Sequence, residues 1–443
     1  MRILILGGGT VGSSVAKALS GDHDVTIVDI NKELTDRLDE DIDARILCGS
    51  ASQSSVLFQA GATTADICLA LTGNDEVNIV GASMAHAMGT RRTAARIYAK
   101  VFRDLSTFDY QDHFGIDRML SIEHLTAMEL ARRIREPGAM LIEHFACGEL
   151  EMQEVVITRP GPATGVALSE LHLPSAVRIG TIARDDKTTI ATAADKIEPG
   201  DRITILGDRK AVEDVKKTFQ TQSRIKRNVV IGGGGEIALH LAQILITRNY
   251  NVRIIEEDRD RCEFLSRRLT GASVLCGDAS EKNLLAEEHI GESDIFVGCL
   301  GDDENNIMAC VEAGELGTKT LLAVISRPDY AEIVGRFGIS EAVSPQALFC
   351  RQVEGLLHTG PVLFRNPHLL AGNIDVVELE VQKDAAITQV PLKEANLPKQ
   401  AILAAVIRDN TILIPDAAFV AREGDNVIAL VNNPSLDELA KQF

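Results

Sequence analysis

Over residues 1–115, short and nearly continuous apolar runs alternate with amphipathic stretches. RILIL, VTIVD, ARILC, DICLALT and RTAARIYA have strand length. Between them, apolar residues recur at helical spacing from about Gly12 to Leu19, through Leu34 and Leu38, from Ser55 to Ala60, and from Asp75 to Met88. This alternation predicts an α/β domain with a doubly wound parallel sheet, whose strands are apolar throughout because helices cover both faces. A last amphipathic helix is expected over 117–135, stopping before Pro137-Gly138.

Beyond that stop the pattern changes. EMQEVVITRP, SAVRIGTIAR, TTIATA and DRITILG read as short alternating strands broken by Pro-Gly turns. They predict a small α+β module, closed by a helix near Lys210 to Phe219. A linker is expected around Ser223 to Arg227.

The whole pattern then starts again. RNVVIGGGGEIA answers MRILILGGGTVG, and the strand VRIIEED ends on Glu256 as VTIVDIN ends on Asp29. LCGSAS at Leu47 to Ser52 recurs as LCGDAS at Leu275 to Ser280. DICLALTGNDEVN returns as DIFVGCLGDDENN, matching Asp66 with Asp294, Gly73 with Gly301, Asp75 with Asp303 and Asn78 with Asn306. The strand-rich module repeats too: Leu173-Pro174, Arg184 and Gly200-Asp201 match Leu397-Pro398, Arg408 and Gly424-Asp425. Matches along a common register mark a tandem duplication of a two-domain unit. The expected domains are 1–120, 140–222, 226–345 and 365–443, two Rossmann-like sheets each followed by a small module. A second amphipathic helix, the counterpart of the first, is expected over 340–357.

Gly7, Gly9 and Gly12 fit G-x-G-x-x-G between a strand and a helix. The first glycine makes the turn, the second admits a phosphate to the backbone, and the third lets helix pack on strand. The helix N-terminus offers free N–H groups and a positive dipole end to an anion. Asp29, at the end of the second strand, stands where a carboxylate binds ribose hydroxyls and repels a 2′-phosphate, which favours NAD(H) or an adenine nucleotide over NADP. The second copy carries Gly233, Gly235 and Ala238 in the glycine positions.

The chain has 443 residues, a net charge of −19 and a pI near 5.0. That balance excludes general binding to nucleic-acid phosphates and to anionic lipid through a basic patch. No apolar run approaches the ~20 residues of a membrane span, and the first strand begins with no basic leader, so a cytosolic protein is expected. The eight cysteines show no C-x-x-C spacing and mostly fall in apolar patterns, which predicts reduced, buried thiols.

The copies are not equivalent. The fifth strand of the first carries Arg96, able to meet a phosphate in fork geometry, where the second is expected to carry Ala323. The second copy also follows Glu256 with Glu257 and Asp258. Tighter nucleotide binding is therefore expected at the first site. Thr72 and Gly73 sit where the fourth strand leaves the sheet, and Asp75 and Glu76 read as caps of the next helix rather than as a metal site.

No catalytic constellation presents itself. Tyr-x-x-x-Lys, G-x-S-x-G and a metal-spaced His-Glu pair are all missing, and His172 is matched by Asn396. His144, His172 and His368 read as surface or packing residues. A duplicated nucleotide fold without chemistry suggests a sensor whose ligand biases a conformational equilibrium. An NAD-dependent oxidoreductase is the competing reading from another class.

The glycine-turn strand, acidic second-strand end, C-G-(S/D)-A-S, D-x-x-(D/N)-D-E-x-N and G-D turn together resemble the RCK (KTN) domains that regulate potassium transport. The resemblance covers essentially the whole chain. It implies a non-enzymatic, peripheral subunit on the cytoplasmic face of the inner membrane, binding NAD(H) and, as alternative or competing ligand, ATP or ADP. It also implies a homotetrameric ring beneath a membrane potassium-uptake subunit of TrkH/TrkG type, or a regulator of another transporter or antiporter. Carried over, the binding set is Gly7, Gly8, Gly9, Thr10, Val11, Asp29, Thr72, Gly73 and Arg96. In the second copy it is Gly233, Gly234, Gly235, Glu236, Ile237, Glu256, Leu300 and Gly301.

Overall fold

Ile3, Leu4, Ile5 and Leu6 are all buried, as are Ile67, Cys68, Leu69 and Ala70, because helices cover both faces of the sheet they form. The computed structural model describes residues 1–104, 106–134, 150–157, 160–161, 163–171, 173–174, 176–185, 187–208, 211–212, 214–215, 219, 226–246, 250–358, 360–366, 373–408 and 411–443. His144, His172, His368, residues 223–225 of the expected linker and half of the helix expected near Lys210 to Phe219 lie outside these residues.

The first sheet contains β1 (Arg2–Leu6), β2 (Asp24–Asp29), β3 (Arg45–Cys48), β4 (Ile67–Ala70), β5 (Arg92–Arg96) and β6 (Arg118–Leu120). All neighbours pair in parallel, in the order β3-β2-β1-β4-β5-β6. The order reverses between β1 and β4, which opens a crevice at their carboxyl ends, where doubly wound sheets take their ligands.

Two small strand-rich modules were expected, and both are present as antiparallel sheets. β7 (Leu150–Val156), β8 (Val177–Arg184), β9 (Lys187–Ile190) and β10 (Arg202–Asp208) run in the order β7-β10-β8-β9. The second parallel sheet follows, with β11 (Asn228–Gly232), β12 (Asn251–Glu256), β13 (Ala272–Cys276), β14 (Ile295–Gly298), β15 (Thr320–Val324) and β16 (Glu341–Val343) in the order β13-β12-β11-β14-β15-β16. The last sheet is β17 (Val362–Asn366), β18 (Ile374–Glu380), β19 (Ala401–Arg408), β20 (Thr411–Leu413) and β21 (Asn426–Asn432), ordered β17-β18-β21-β19-β20.

The compact units do not follow the repeat. One combines Met1–Ala131 with Lys226–Val353, so it holds both parallel sheets. The other combines Arg132–Ile225 with Glu354–Phe443 and holds both antiparallel ones. Within the second unit, the Arg178 guanidinium of β8 donates to the Leu403 carbonyl of β19 at 2.9 Å and also to the Pro415 carbonyl.

One expectation needs correcting. Residues 117–120 and 340–343 are not the first turns of long amphipathic helices; they hold the edge strands β6 and β16. The helices that follow are Ile122–Ile134 and Pro345–Glu354. Ser121 and Ser344 set these starts, since their hydroxyls accept from the amides of His124 and Ala347 at 3.2 and 3.3 Å. A cap at that position leaves the chain before it extended and free to pair with the sheet.

Candidate functional site

At the tip of β1, Gly7 turns with φ +104°, a conformation that favours glycine. A side chain there would also strike the backbone of Thr72 at 2.8 Å, so the glycine lets the loop after β4 lie directly against the turn. Gly233 repeats both features, with φ +97° and the Cys299 carbonyl 2.4 Å from where a Cβ would stand. Gly9 and Gly235 have nothing within 4 Å on that side, which leaves their backbone open to a ligand.

Asp29 reaches back from the end of β2. Its Oδ2 accepts from the Gly8 amide at 2.7 Å and its Oδ1 from the Asn31 amide at 2.8 Å. Glu256 does the same, with Oε2 accepting from the Gly234 amide at 2.6 Å and Oε1 from Asp258 N at 2.8 Å. Each carboxylate is thereby fixed beside the glycine turn, with acceptor lone pairs remaining for a diol. Thr72 and Gly73 in the first copy, and Leu300 and Gly301 in the second, flank the same crevice through the loop after the fourth strand.

Asn78 and Asn306 build that loop, a role that sequence reasoning missed although their match was visible. Asn78 Oδ1 accepts from Thr72 N at 2.8 Å and from the Thr72 hydroxyl at 2.7 Å, while its Nδ2 donates to the Arg96 carbonyl at 2.8 Å. Asn306 accepts from Leu300 N at 2.6 Å and donates to the Val324 carbonyl at 2.9 Å. This correspondence corrects the register: Val324, not Ala323, is the counterpart of Arg96, and Ala323 pairs with Gly298 as Ala95 pairs with Ala70.

Asp75 is not a cap either. Asn74 caps helix Asp75–Met88, accepting from Val77 N at 2.8 Å, and Asp302 does so for helix Asp303–Leu316. The Asp75 carboxylate instead accepts from the amides of Tyr98 and Ala99 at 2.8 and 2.7 Å, and Asp303 from those of Ser326 and Arg327, both at 2.8 Å. The competing amides lie across the sheet end, so the residue one step earlier is left to cap. Among the described residues, no group of three or more His, Cys, Asp or Glu is arranged to hold a metal.

The two crevices differ most at their mouths. In the first, Thr10 begins the helix with no acidic residue in its first turn, and Arg96 pairs with Glu123 at 3.3 Å. In the second, Glu236 begins the helix and Arg261 crosses the turn. The Arg261 Nε donates to the Gly234 carbonyl at 2.6 Å, and its terminal nitrogen donates to Glu236 Oε1 at 2.9 Å. The guanidinium also lies 4.8 Å from the centre of the Phe264 ring. Leu34 stands where Arg261 does, so the first mouth has no such pair.

The expectation of buried thiols holds for Cys68, Cys262, Cys299 and Cys310; Cys48 and Cys276 are exposed, because both end edge strands where the sheet gives way to solvent.

The TrkA-N domain family matches residues 3–121 and 229–345, and the TrkA-C domain family matches residues 152–220. The "Trk system potassium uptake protein TrkA" of Haemophilus influenzae is 33% identical over 452 residues, covering 100% of this chain and 98% of that protein. Its namesake in Halomonas elongata is 32% identical, covering 97% and 96%. The Archaeoglobus fulgidus "TrkA homolog" is 31% identical and covers all of both chains. Among solved structures, the "GsuK channel bound to NAD" superposes with a TM-score of 0.61 at 16% identity, over 99% of this chain and 78% of that one. The "GsuK bound to ADP" gives 0.52 at 15% identity, over 81% and 69%. These structural likenesses concern the fold. Among the described residues, no helix is long and apolar enough to cross a membrane.

Proposed function

The chain belongs to the TrkA family of potassium-uptake proteins, and on that premise we propose that it is a nucleotide-sensing regulatory subunit, not an enzyme, which gates a membrane partner of TrkH/TrkG type. It works as a homotetrameric ring on the cytoplasmic face of the inner membrane. The observation that carries this reading is the carboxylate at the tip of β2 and of β12, hydrogen-bonded to a glycine turn whose open face awaits a dinucleotide.

NAD(H) and ATP or ADP compete for the first crevice. Gly7, Gly8, Gly9, Thr10, Val11 and Gly12 offer backbone to the phosphates, Asp29 takes the ribose diol, and Thr72 and Gly73 close over the ligand. Arg96 leaves Glu123 to meet phosphate. Because Glu123 lies in the first turn of helix Ile122–Ile134, that exchange changes what holds the helix and passes the signal on. A few kcal/mol of differential affinity between ring states suffices for switching.

The second crevice, with Gly233, Gly234, Gly235, Ile237, Glu256, Leu300 and Gly301, is the weaker site. Its Glu236 carboxylate already sits at the helix start where a pyrophosphate would lie.

The test is calorimetric titration of NADH and of ATP into Asp29→Ala and Glu256→Ala proteins. Asp29→Ala is expected to abolish tight binding and Glu256→Ala to spare it; loss of all binding only with Glu256→Ala overturns the ranking. Potassium flux through the reconstituted complex should respond to a nonhydrolysable ATP analogue, because no turnover is needed.

A further inference from the structure

Cys276 ends β13, and Cys262 lies in the helix Arg259–Arg268. The fold brings both to the turn after β12. Cys262 Sγ donates to the Glu256 carbonyl at 3.2 Å, and Cys276 Sγ donates to the next carbonyl, Glu257, at 3.7 Å. The two sulfurs therefore lie against consecutive carbonyls of one turn. Cys276 is exposed and Cys262 is only 7% exposed, so a reagent in solution meets Cys276 first.

The first copy supplies an internal control. Cys48 ends β3 in the same exposed setting, donating to the Ile30 carbonyl at 3.8 Å, but Thr35 stands where Cys262 does. The other thiols with described surroundings differ. Cys68 and Cys310 are sealed in the sheet cores, where burial pushes each up to about 12.

We propose that Cys262 and Cys276 form a thiol–disulfide exchange site in the second Rossmann domain, open to a small disulfide such as oxidised glutathione. The Cys276 thiolate attacks one glutathione sulfur, the S–S bond breaks, and one glutathione thiolate leaves. Cys262 then gives up its proton and attacks the Cys276 sulfur, expelling the second glutathione. The chain loses two electrons and two protons in all, and the small disulfide gains them as two thiols.

The product ties the helix to the end of β13 beside Glu256, the residue that holds the Gly234 amide. Closure is slow at neutral pH. Burial first, then the neighbouring Cys276 sulfur and the charges of Glu256 and Asp258, push the Cys262 thiol up and hold it protonated.

To test this, the folded full-length chain is incubated with oxidised glutathione at pH 8, its remaining thiols are alkylated, and its peptides are mapped by mass. The expected product is a Cys262–Cys276 disulfide, with glutathione retained on Cys48 but not on Cys276. Cys262→Ser should convert Cys276 into a lasting glutathione adduct, and dithiothreitol should reverse both. Either an unmodified Cys276, or wild-type Cys276 carrying glutathione while Cys262 remains alkylatable, overturns the proposal. Nucleotide binding plays no part in this readout.

Discussion

Asn78 donates its amide to the carbonyl of Arg96 at 2.8 Å, joining the ends of β4 and β5 through one fully buried side chain. Asn78→Ala removes that bond and strips the Thr72 amide of its acceptor. A buried polar group left without a partner costs about 1–3 kcal/mol. Denaturant unfolding of the variant should register a loss of that order, and calorimetry should register weaker nucleotide binding as the loop beside Gly7 loosens. A stable variant with unchanged affinity would mean the loop is held by other contacts.

Gly12 is needed in its own copy and dispensable in the other. A Cβ on Gly12 would stand 1.9 Å from the Gly7 carbonyl oxygen, whereas Ala238 carries that methyl natively, so the second turn must hold its carbonyl farther from the helix. Gly12→Ala is expected to cost about 1–3 kcal/mol through overpacking and to lower first-site affinity. Ala238→Gly should cost only about 1 kcal/mol, the ordinary helical difference between the two residues. Parallel melts of the two variants check the contrast.

Arg261 and Glu236 occupy the second mouth with their own charges, as an anionic ligand and its counter-ion would. Glu236→Thr, which installs the residue found at Thr10, removes a carboxylate from the helix start and frees the guanidinium for phosphate. The expected result is a change from one tightly bound ADP per chain to two, with second-site affinity raised at least ~10-fold, equivalent to ~1.4 kcal/mol. Isothermal titration reads both numbers; an unchanged stoichiometry rules the pair out as the obstacle.

His240 makes the interface between the two parallel-sheet domains sensitive to acid. It is buried in helix Glu236–Ile246, with its ring 5.3 Å from that of His124 and no hydrogen bond at Nε2 among the described residues. Arg103, Lys100, Glu123 and Glu236 face it. Burial, then Arg103 and Lys100, lowers its pKa below the ordinary 6.5, against a smaller opposing pull from Glu236 and Glu123. The folded protein therefore refuses a proton that the unfolded chain accepts. Stability is unaffected above pH 6.5 and falls as pH drops from there toward the folded value. The melting temperature should decline between pH 7.5 and 5.5, with a shallower slope in His240→Leu; equal slopes would locate the acid sensitivity elsewhere.

The parallel sheets were legible because burial on both faces writes itself as apolar runs of strand length, and the duplication let each copy check the other. Glycine turns and the acidic strand ends carry their geometry in residue type, so Gly7 and Asp29 could be identified directly. The edge strands β6 and β16 could not, since three residues leave no period to read and the capping serines lie inside an apolar pattern. Asp75 misled for a related reason: an acidic residue at a helix start looks like a cap, and only tertiary structure reveals that its partners are the amides of Tyr98 and Ala99. The Arg261–Glu236 pair joins residues 25 apart in sequence, and no local pattern announces it. The slip of one residue at Val324 was avoidable, since Gly89 and Gly317 end the preceding helices at the same spacing that separates Asn78 from Asn306.

The two compact bodies each take one half from either repeat, so the chain passes from one to the other three times. Cutting the polypeptide between its repeats, near residue 225, would not release two finished proteins. Each fragment would expose the faces meant for its twin, and separately expressed halves should seek each other out and reassemble. An ancestral single-repeat chain would have met that need with a second copy of itself, and fusion made the partnership permanent while leaving the two crevices free to diverge.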